Sequence, residues 1–170
     1  MGKTHVGGGT ARPASAISTD RKRPLPGTLK VKLLRDNAKP PHRAHELDAG
    51  LDLFSAQDTF TLAPHCKGAV VTGVAVEIPP NHVGLVFVRS SIGFNLNTTL
   101  SNSVGVIDSD YRGEISVSLT NHGKKSVTIN EGDKFAQLVI APVLLPDVEV
   151  VDELSDTVRG EGGFGSTGNQ

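Results

Sequence analysis

From Leu29 to Ala141 short apolar runs alternate with turn compositions, and the apolar runs follow the two-residue period of strands. Leu29-Lys30-Val31-Lys32-Leu33 is the plainest case, with every second residue apolar. The same logic predicts strands over Ala69–Ile78, Val83–Val88, Glu114–Leu119, Ser126–Ile129 and Phe135–Ala141. Pro79-Pro80-Asn81, Asn121-His122-Gly123 and Asn130-Glu131-Gly132-Asp133 punctuate them as turns. All ten prolines lie outside residues 81–141, so the central strands are free to sit inside a sheet. No segment carries a helical period of normal length. The pattern predicts an all-β domain, whether sandwich, jelly roll or barrel.

Composition sharpens this. A chain of 170 residues makes one compact domain with a short tail or two. A single Cys excludes a disulfide framework and a Cys-rich zinc site, and no apolar run approaches a membrane span. Nor is a signal-peptide core evident, so a soluble intracellular protein is expected. The formal net charge of −1 argues against a dominant electrostatic grip on nucleic acid.

That charge is unevenly spread. Residues 1–28 contain Lys3, Arg12, Arg21, Lys22 and Arg23 against the one acid Asp20, with runs of Gly, Ser and Pro. They are expected to be a disordered basic extension, because they bury too little apolar surface to offset ordering entropy. The remainder is acidic, so an anionic ligand would have to be held by a local cluster. The expected organisation is this extension, a β core over 29–146 and a C-terminal arm over 147–170.

Five clusters exceed what a β core needs. Asp48-Ala49-Gly50-Leu51-Asp52-Leu53 places a carboxylate between apolar residues; taken alone, Asp52 reads as a surface acid. Arg89-Ser90-Ser91-Ile92-Gly93 follows a strand with a guanidinium, two hydroxyls and exposed amides, a set suited to phosphate oxygens or to an ordinary polar turn. Asn102 to Gly113 contains Gly105, Asp108 and Tyr111, the only Tyr. Asp108 follows an apolar pair; partial desolvation there would raise its basicity and suit it to take a proton from water, and a charged hairpin is the equal alternative. Gly132 to Leu138 sets the amide of Gln137 among apolar residues. Finally, Arg159-Gly160-Glu161-Gly162-Gly163-Phe164-Gly165-Ser166-Thr167-Gly168 reads as a flexible linker or as a phosphate-wrapping loop with an aromatic for a base.

In this order and spacing the five clusters resemble the trimeric deoxyuridine triphosphatase (dUTPase) family, from about Leu29 to Gly168. The resemblance implies a jelly-roll-like fold and a homotrimer with active sites shared between subunits. It implies hydrolysis of dUTP to dUMP and pyrophosphate with Mg²⁺, limiting uracil in DNA and supplying dUMP for thymidylate synthesis. Asp108 would match the aspartate that activates the attacking water. Arg89, Ser90 and Ser91 would hold α- and β-phosphate oxygens, and Asp52 and Gln137 would reach the metal through water. Asn102 and Gly105 would meet the uracil edge, with Tyr111 under the deoxyribose. Arg159, Gly165, Ser166 and Thr167 would wrap the γ-phosphate while Phe164 covers the base. dUTP and a second and third copy of the chain are the implied partners, with no membrane and no nucleic acid. The implied location is the cytoplasm, or the nucleus for a eukaryotic or viral source.

Two features depart from the family pattern. Val88 precedes Arg89 where Gly or Pro is usual, and Phe94-Asn95-Leu96-Asn97 lacks a common basic residue. The alternative activity is that of the related dCTP deaminases, alone or combined with dUTP hydrolysis. That class places a catalytic Glu ten residues after the motif aspartate, where this chain has Ser118. The six His show no ligand pairing, and Cys66 reads as a packing or exposed thiol.

Overall fold

The computed structural model describes residues 27–163, and these are nearly all β. Eleven strands follow in chain order: β1 (Lys30–Leu33), β2 (Gly50–Phe54), β3 (Phe60–Leu62), β4 (Lys67–Val71), β5 (Val74–Glu77), β6 (His82–Val88), β7 (Thr98–Leu100), β8 (Gly105–Ile107), β9 (Ser116–Asn121), β10 (Val127–Ile129) and β11 (Lys134–Pro142). The one helical element among them is a single wide turn, Ser91–Asn95. No described helix is long and apolar enough to cross a membrane.

Every named strand pairing is antiparallel. A four-stranded sheet has the order β2-β11-β6-β8 and a three-stranded sheet the order β4-β9-β7, with β1-β5 and β3-β10 as smaller ribbons. Strands from all four contribute to one core, which includes Leu53, Leu62, Val70, Ile78, Val86, Leu119 and Ile129. At its centre Phe135 and Leu138 are fully buried on β11, the strand shared by β2 and β6. Each such side chain contributes about 1.5–3 kcal/mol on burial, so the strand that carries Gln137 is among the best anchored in the molecule.

The expected strands are present, with shifted ends and one division. The run predicted over Ala69–Ile78 is two strands, because the backbone turns at Gly73 (φ +69°) and passes from the β4-β9 sheet to the β1-β5 ribbon. A Cβ at Gly73 would stand 2.6 Å from that of Ala38, so the turn requires glycine. The strand expected from Glu114 starts two residues later, because the Glu114 carboxylate caps the Gly73 turn instead. β3, β7 and β8, three residues each, have no counterpart among the expected strands.

The predicted turns form for identifiable reasons. The Asn130 amide N–H donates to Asp133 Oδ2 at 2.8 Å, and Gly132 takes φ +77° between them. Asn121 is fully buried; its Nδ2 donates to the carbonyls of Leu62, Ala63 and Lys125, and its Oδ1 accepts the Gly123 N–H. The expected basic extension lies almost wholly outside the described residues.

Candidate active site

Three neighbouring strands bring the first, second and fourth clusters together. In the register of the four-stranded sheet Gln137 stands opposite Asp52 on one side and Phe87 on the other. Arg89, two residues past Phe87, turns back so that its Nε lies 2.9 Å from Asp52 Oδ1. Lys134 approaches from β11, its Nζ 2.9 Å from Asp52 Oδ2, and its ammonium also lies 5.7 Å from the centre of the Phe54 ring. Asp52 is therefore no surface acid. Residues on both faces of β2 are buried, and Asp52 is only 9% exposed between two cations. Ion pairing makes that burial tolerable for a carboxylate.

Beyond Arg89 the chain winds into the turn Ser91–Asn95, with the Ile92 and Gly93 amides donating to the Arg89 carbonyl at 2.9 and 3.0 Å. Ser90 and Ser91 are exposed at its start. Val88, where the sequence departs from the family pattern, is the last residue of β6 and pairs with Ala136. A cavity of about 360 Å³ beside this cluster is lined by Arg89, Lys134 and Asp133, among others.

The third cluster gathers at the other end of the sheet. β8 lies against β6 with Ile107 opposite Gly84 and Gly105 opposite Val86. One cavity of about 310 Å³ is lined by Asn102, Gly105, Ile107, Ser116 and Ser118. An adjoining one of about 220 Å³ is lined by Ile107, Asp108, Tyr111, Glu114 and Ser116. Ile107 and Ser116 border both, so the two hollows are neighbours, and the smaller reaches the Asp108 carboxylate. Asp108 is exposed within its own chain, so the expected desolvation is not supplied by that chain. Tyr111 is half-exposed, and its hydroxyl donates to the Glu114 carbonyl at 3.1 Å.

Glu114 was not singled out by the sequence. Its carboxylate receives Arg35 Nε and Nη2 at 2.9 and 3.0 Å and the Gly73 N–H at 2.7 Å. The Arg35 hydrogen bonds, aided by the Gly73 amide, hold its pKa below the ordinary carboxylate range against a smaller opposing effect of burial. The partner guanidinium is held correspondingly higher. Lys134 was also missed as a site residue, although the turn at Gly132-Asp133 fixes where β11 begins.

Of the residues predicted in the C-terminal arm, only Arg159 lies among the described residues. Arg159 is exposed, and its Nε donates to the Gly162 carbonyl at 2.8 Å within its own loop. Phe164, Gly165, Ser166 and Thr167 lie outside the described residues. Among the described residues no group of three His, Cys, Asp or Glu forms a metal cage, and both Asp52 oxygens already face cations. Such a donor set fits contact with a hydrated divalent ion through water.

These arrangements have clear relatives. The family model for dUTPase matches residues 36–168. The chain is 44% identical over 141 residues to the deoxyuridine 5'-triphosphate nucleotidohydrolase of Clostridium tetani, covering 83% of this chain and 97% of that one. It is 47% identical over 140 residues to the same enzyme of Gloeothece citriformis, covering 82% and 96%. Among solved structures it resembles Staphylococcus bacteriophage 80alpha dUTPase with dUPNHPP, at TM-score 0.77 and 35% identity over 84% of this chain and 99% of that one. It also resembles a variant dUTPase from phage phi11 of S. aureus, described for its coordination of a structural Mg(II) ion, at TM-score 0.71 and 35% identity over 76% and 100%. The pairing of the buried Asp52 with Arg89, the hollow beside Asp108 and these similarities agree: the chain belongs to the dUTPase family.

Proposed function

We propose that this dUTP diphosphatase forms dUMP and pyrophosphate by attack of water at the α-phosphorus, in a homotrimer whose sites each draw on more than one subunit. The cleft on β8 carries the reading, because a nucleoside-sized hollow opens directly beside the Asp108 carboxylate. Asn102 and the backbone at Gly105 meet the uracil edge, and Tyr111 lies under the sugar. Asp108 accepts the proton of the attacking water as its oxygen bonds to phosphorus and the bond to the departing pyrophosphate breaks. A nucleobase edge that is hydrogen-bonded in a closed pocket is selected strongly, because a wrong base leaves buried polar groups unpaired.

Arg89, with Ser90 and Ser91, holds the phosphate oxygens, a role suited to a guanidinium and adjacent hydroxyls. Asp52 fixes the Arg89 fork, and with Gln137 reaches a hydrated Mg²⁺ on the triphosphate through water. When bound, that ion supplies charge compensation for the phosphates. Arg159, Gly165, Ser166, Thr167 and Phe164 close over the γ-phosphate and base, excluding bulk water.

Two observations support sharing between subunits. Asp108 lies one residue past the partner of Gly84, while Arg89 lies one past Val88. At about 3.3 Å per residue the two are some 20 Å apart along β6, too far for one triphosphate within one chain. The arm beyond β11 also presents Leu144, Val148, Val150 and Leu154, each at least 87% exposed. A run of apolar residues that its own chain leaves uncovered is what another copy would bury.

The physiological consequence is removal of dUTP from the precursors of DNA and supply of dUMP, with the cytoplasm as the place of action. Deamination has no observation in its favour: Ser118, where a catalytic Glu would be needed, meets Ser101 Oγ at 2.9 Å on the cleft wall. The test is release of pyrophosphate and of ammonia from dUTP, dCTP, dTTP and UTP with Mg²⁺. Pyrophosphate from dUTP alone is the expected result; ammonia from dCTP, or no reaction with any of the four, would overturn it.

A further inference from the structure

We infer that Glu114, clamped by Arg35, is a positioning residue for Tyr111 and thereby for selecting a deoxyribonucleotide over a ribonucleotide. The selectivity part rests on the reading above that Tyr111 lies under the sugar. The geometry begins with the Tyr111 hydroxyl, which donates to the main-chain carbonyl of Glu114, while the phenol ring lies over Gly113, where any Cβ would collide with it. The ring is half-exposed, so packing alone leaves it free to move. Its height over the cleft is therefore set by where residue 114 sits.

That position is fixed from three directions. Both carboxylate oxygens of Glu114 face the Arg35 fork, and Oε1 also accepts the Gly73 amide. Next door, Ile115 exchanges main-chain bonds with Val74 and Thr72, and its carbonyl accepts Thr72 Oγ1 at 2.7 Å. From the other side Arg112 Nη1 donates to the carbonyls of Ser109 and Tyr111 at 2.8 and 2.9 Å. Arg35 belongs to the segment after β1, 79 residues away in sequence, so the pair ties the active-site loop to a distant part of the fold. A bidentate Arg–carboxylate pair constrains orientation as well as distance, which a single-point contact does not. The substrate's extra 2′-hydroxyl is a small group, and a ring free to retreat by a fraction of an ångström would admit it.

The chain has one Tyr and no Trp, so its ultraviolet-excited emission reports on Tyr111 alone. The experiment compares wild type with R35M, R35K and E114Q in two measurements: kcat/KM for dUTP against UTP, and acrylamide quenching of tyrosine emission. Expected for R35M is kcat for dUTP close to wild type; for R35M and E114Q alike, selectivity for dUTP over UTP is lower by about tenfold and quenching is stronger, with R35K between. Unchanged selectivity and quenching, even with a lowered melting temperature, would mean the pair is merely structural and would overturn the inference. Should E114Q not fold, the Arg35 variants still decide it, since they leave the Glu114–Gly73 bond in place. A wild type inert toward dUTP sinks the proposed function and the selectivity claim with it; the quenching then decides the clamp by itself.

Discussion

Arg89 leaves the end of β6, while Asp108 sits across from that strand's beginning, about 20 Å away along the sheet. On the proposed reading, one triphosphate meets the two on different subunits. Co-expression of D108N with R89Q should therefore restore pyrophosphate release that neither variant shows alone. If each site takes the two residues from different subunits of a randomly mixed trimer, about a quarter of sites regain both. Mixed trimers with no recovered activity would show that one chain supplies both groups.

Asp108 is proposed to act on the proton of water and not on the affinity for nucleotide. D108N is expected to lower kcat for dUTP by about 10²–10⁴-fold while binding of a non-hydrolysable dUTP analogue stays close to wild type. Calorimetric titration beside steady-state rates separates the two. A variant with a near-wild-type rate removes Asp108 as the base.

Asp52 holds two cations in a setting where it is almost buried. D52A leaves Arg89 and Lys134 facing each other without their shared counter-ion, at an expected cost of about 1.5–3 kcal/mol in denaturant unfolding. K134M removes one partner and should cost less, because Arg89 still neutralises the carboxylate. An R89-independent loss of activity in K134M would show that Lys134 contributes more than charge balance.

Glu114 makes stability depend on acid. Its folded pKa is depressed, first by the Arg35 hydrogen bonds, so the unfolded chain binds its proton at higher pH than the folded one. The contribution is complete above the ordinary Glu range and is lost as pH falls through the depressed folded value. The stability gap between wild type and E114Q should therefore narrow on acidification below about pH 4.5 and stay constant above it. Unfolding curves across that window check the sign; a gap that widens in acid contradicts it.

The chain's own order of residues determined the class of fold, because strand periodicity and turn chemistry are local. Leu29 to Leu33 alternates, Gly132 turns the chain before β11, and Asn121 ends a strand by bonding its own neighbours. It also marked the clusters from which the proposed site is drawn, since each motif is a short contiguous run. What it left open are relationships set by register. A local reading puts Asp52 on the surface, whereas pairing with β11 and the return of Arg89 bury it. Asp108 looks partly shielded beside Val106 and Ile107, yet β8 is an edge strand, where the alternation of a three-residue segment shields nothing beyond it. Arg35 lies in no motif, and Glu114 stands at the end of the third one with no role read for it. They meet only because Gly73 turns the chain from one sheet into another, and a contact between residues so far apart in sequence is a property of topology that no local pattern encodes.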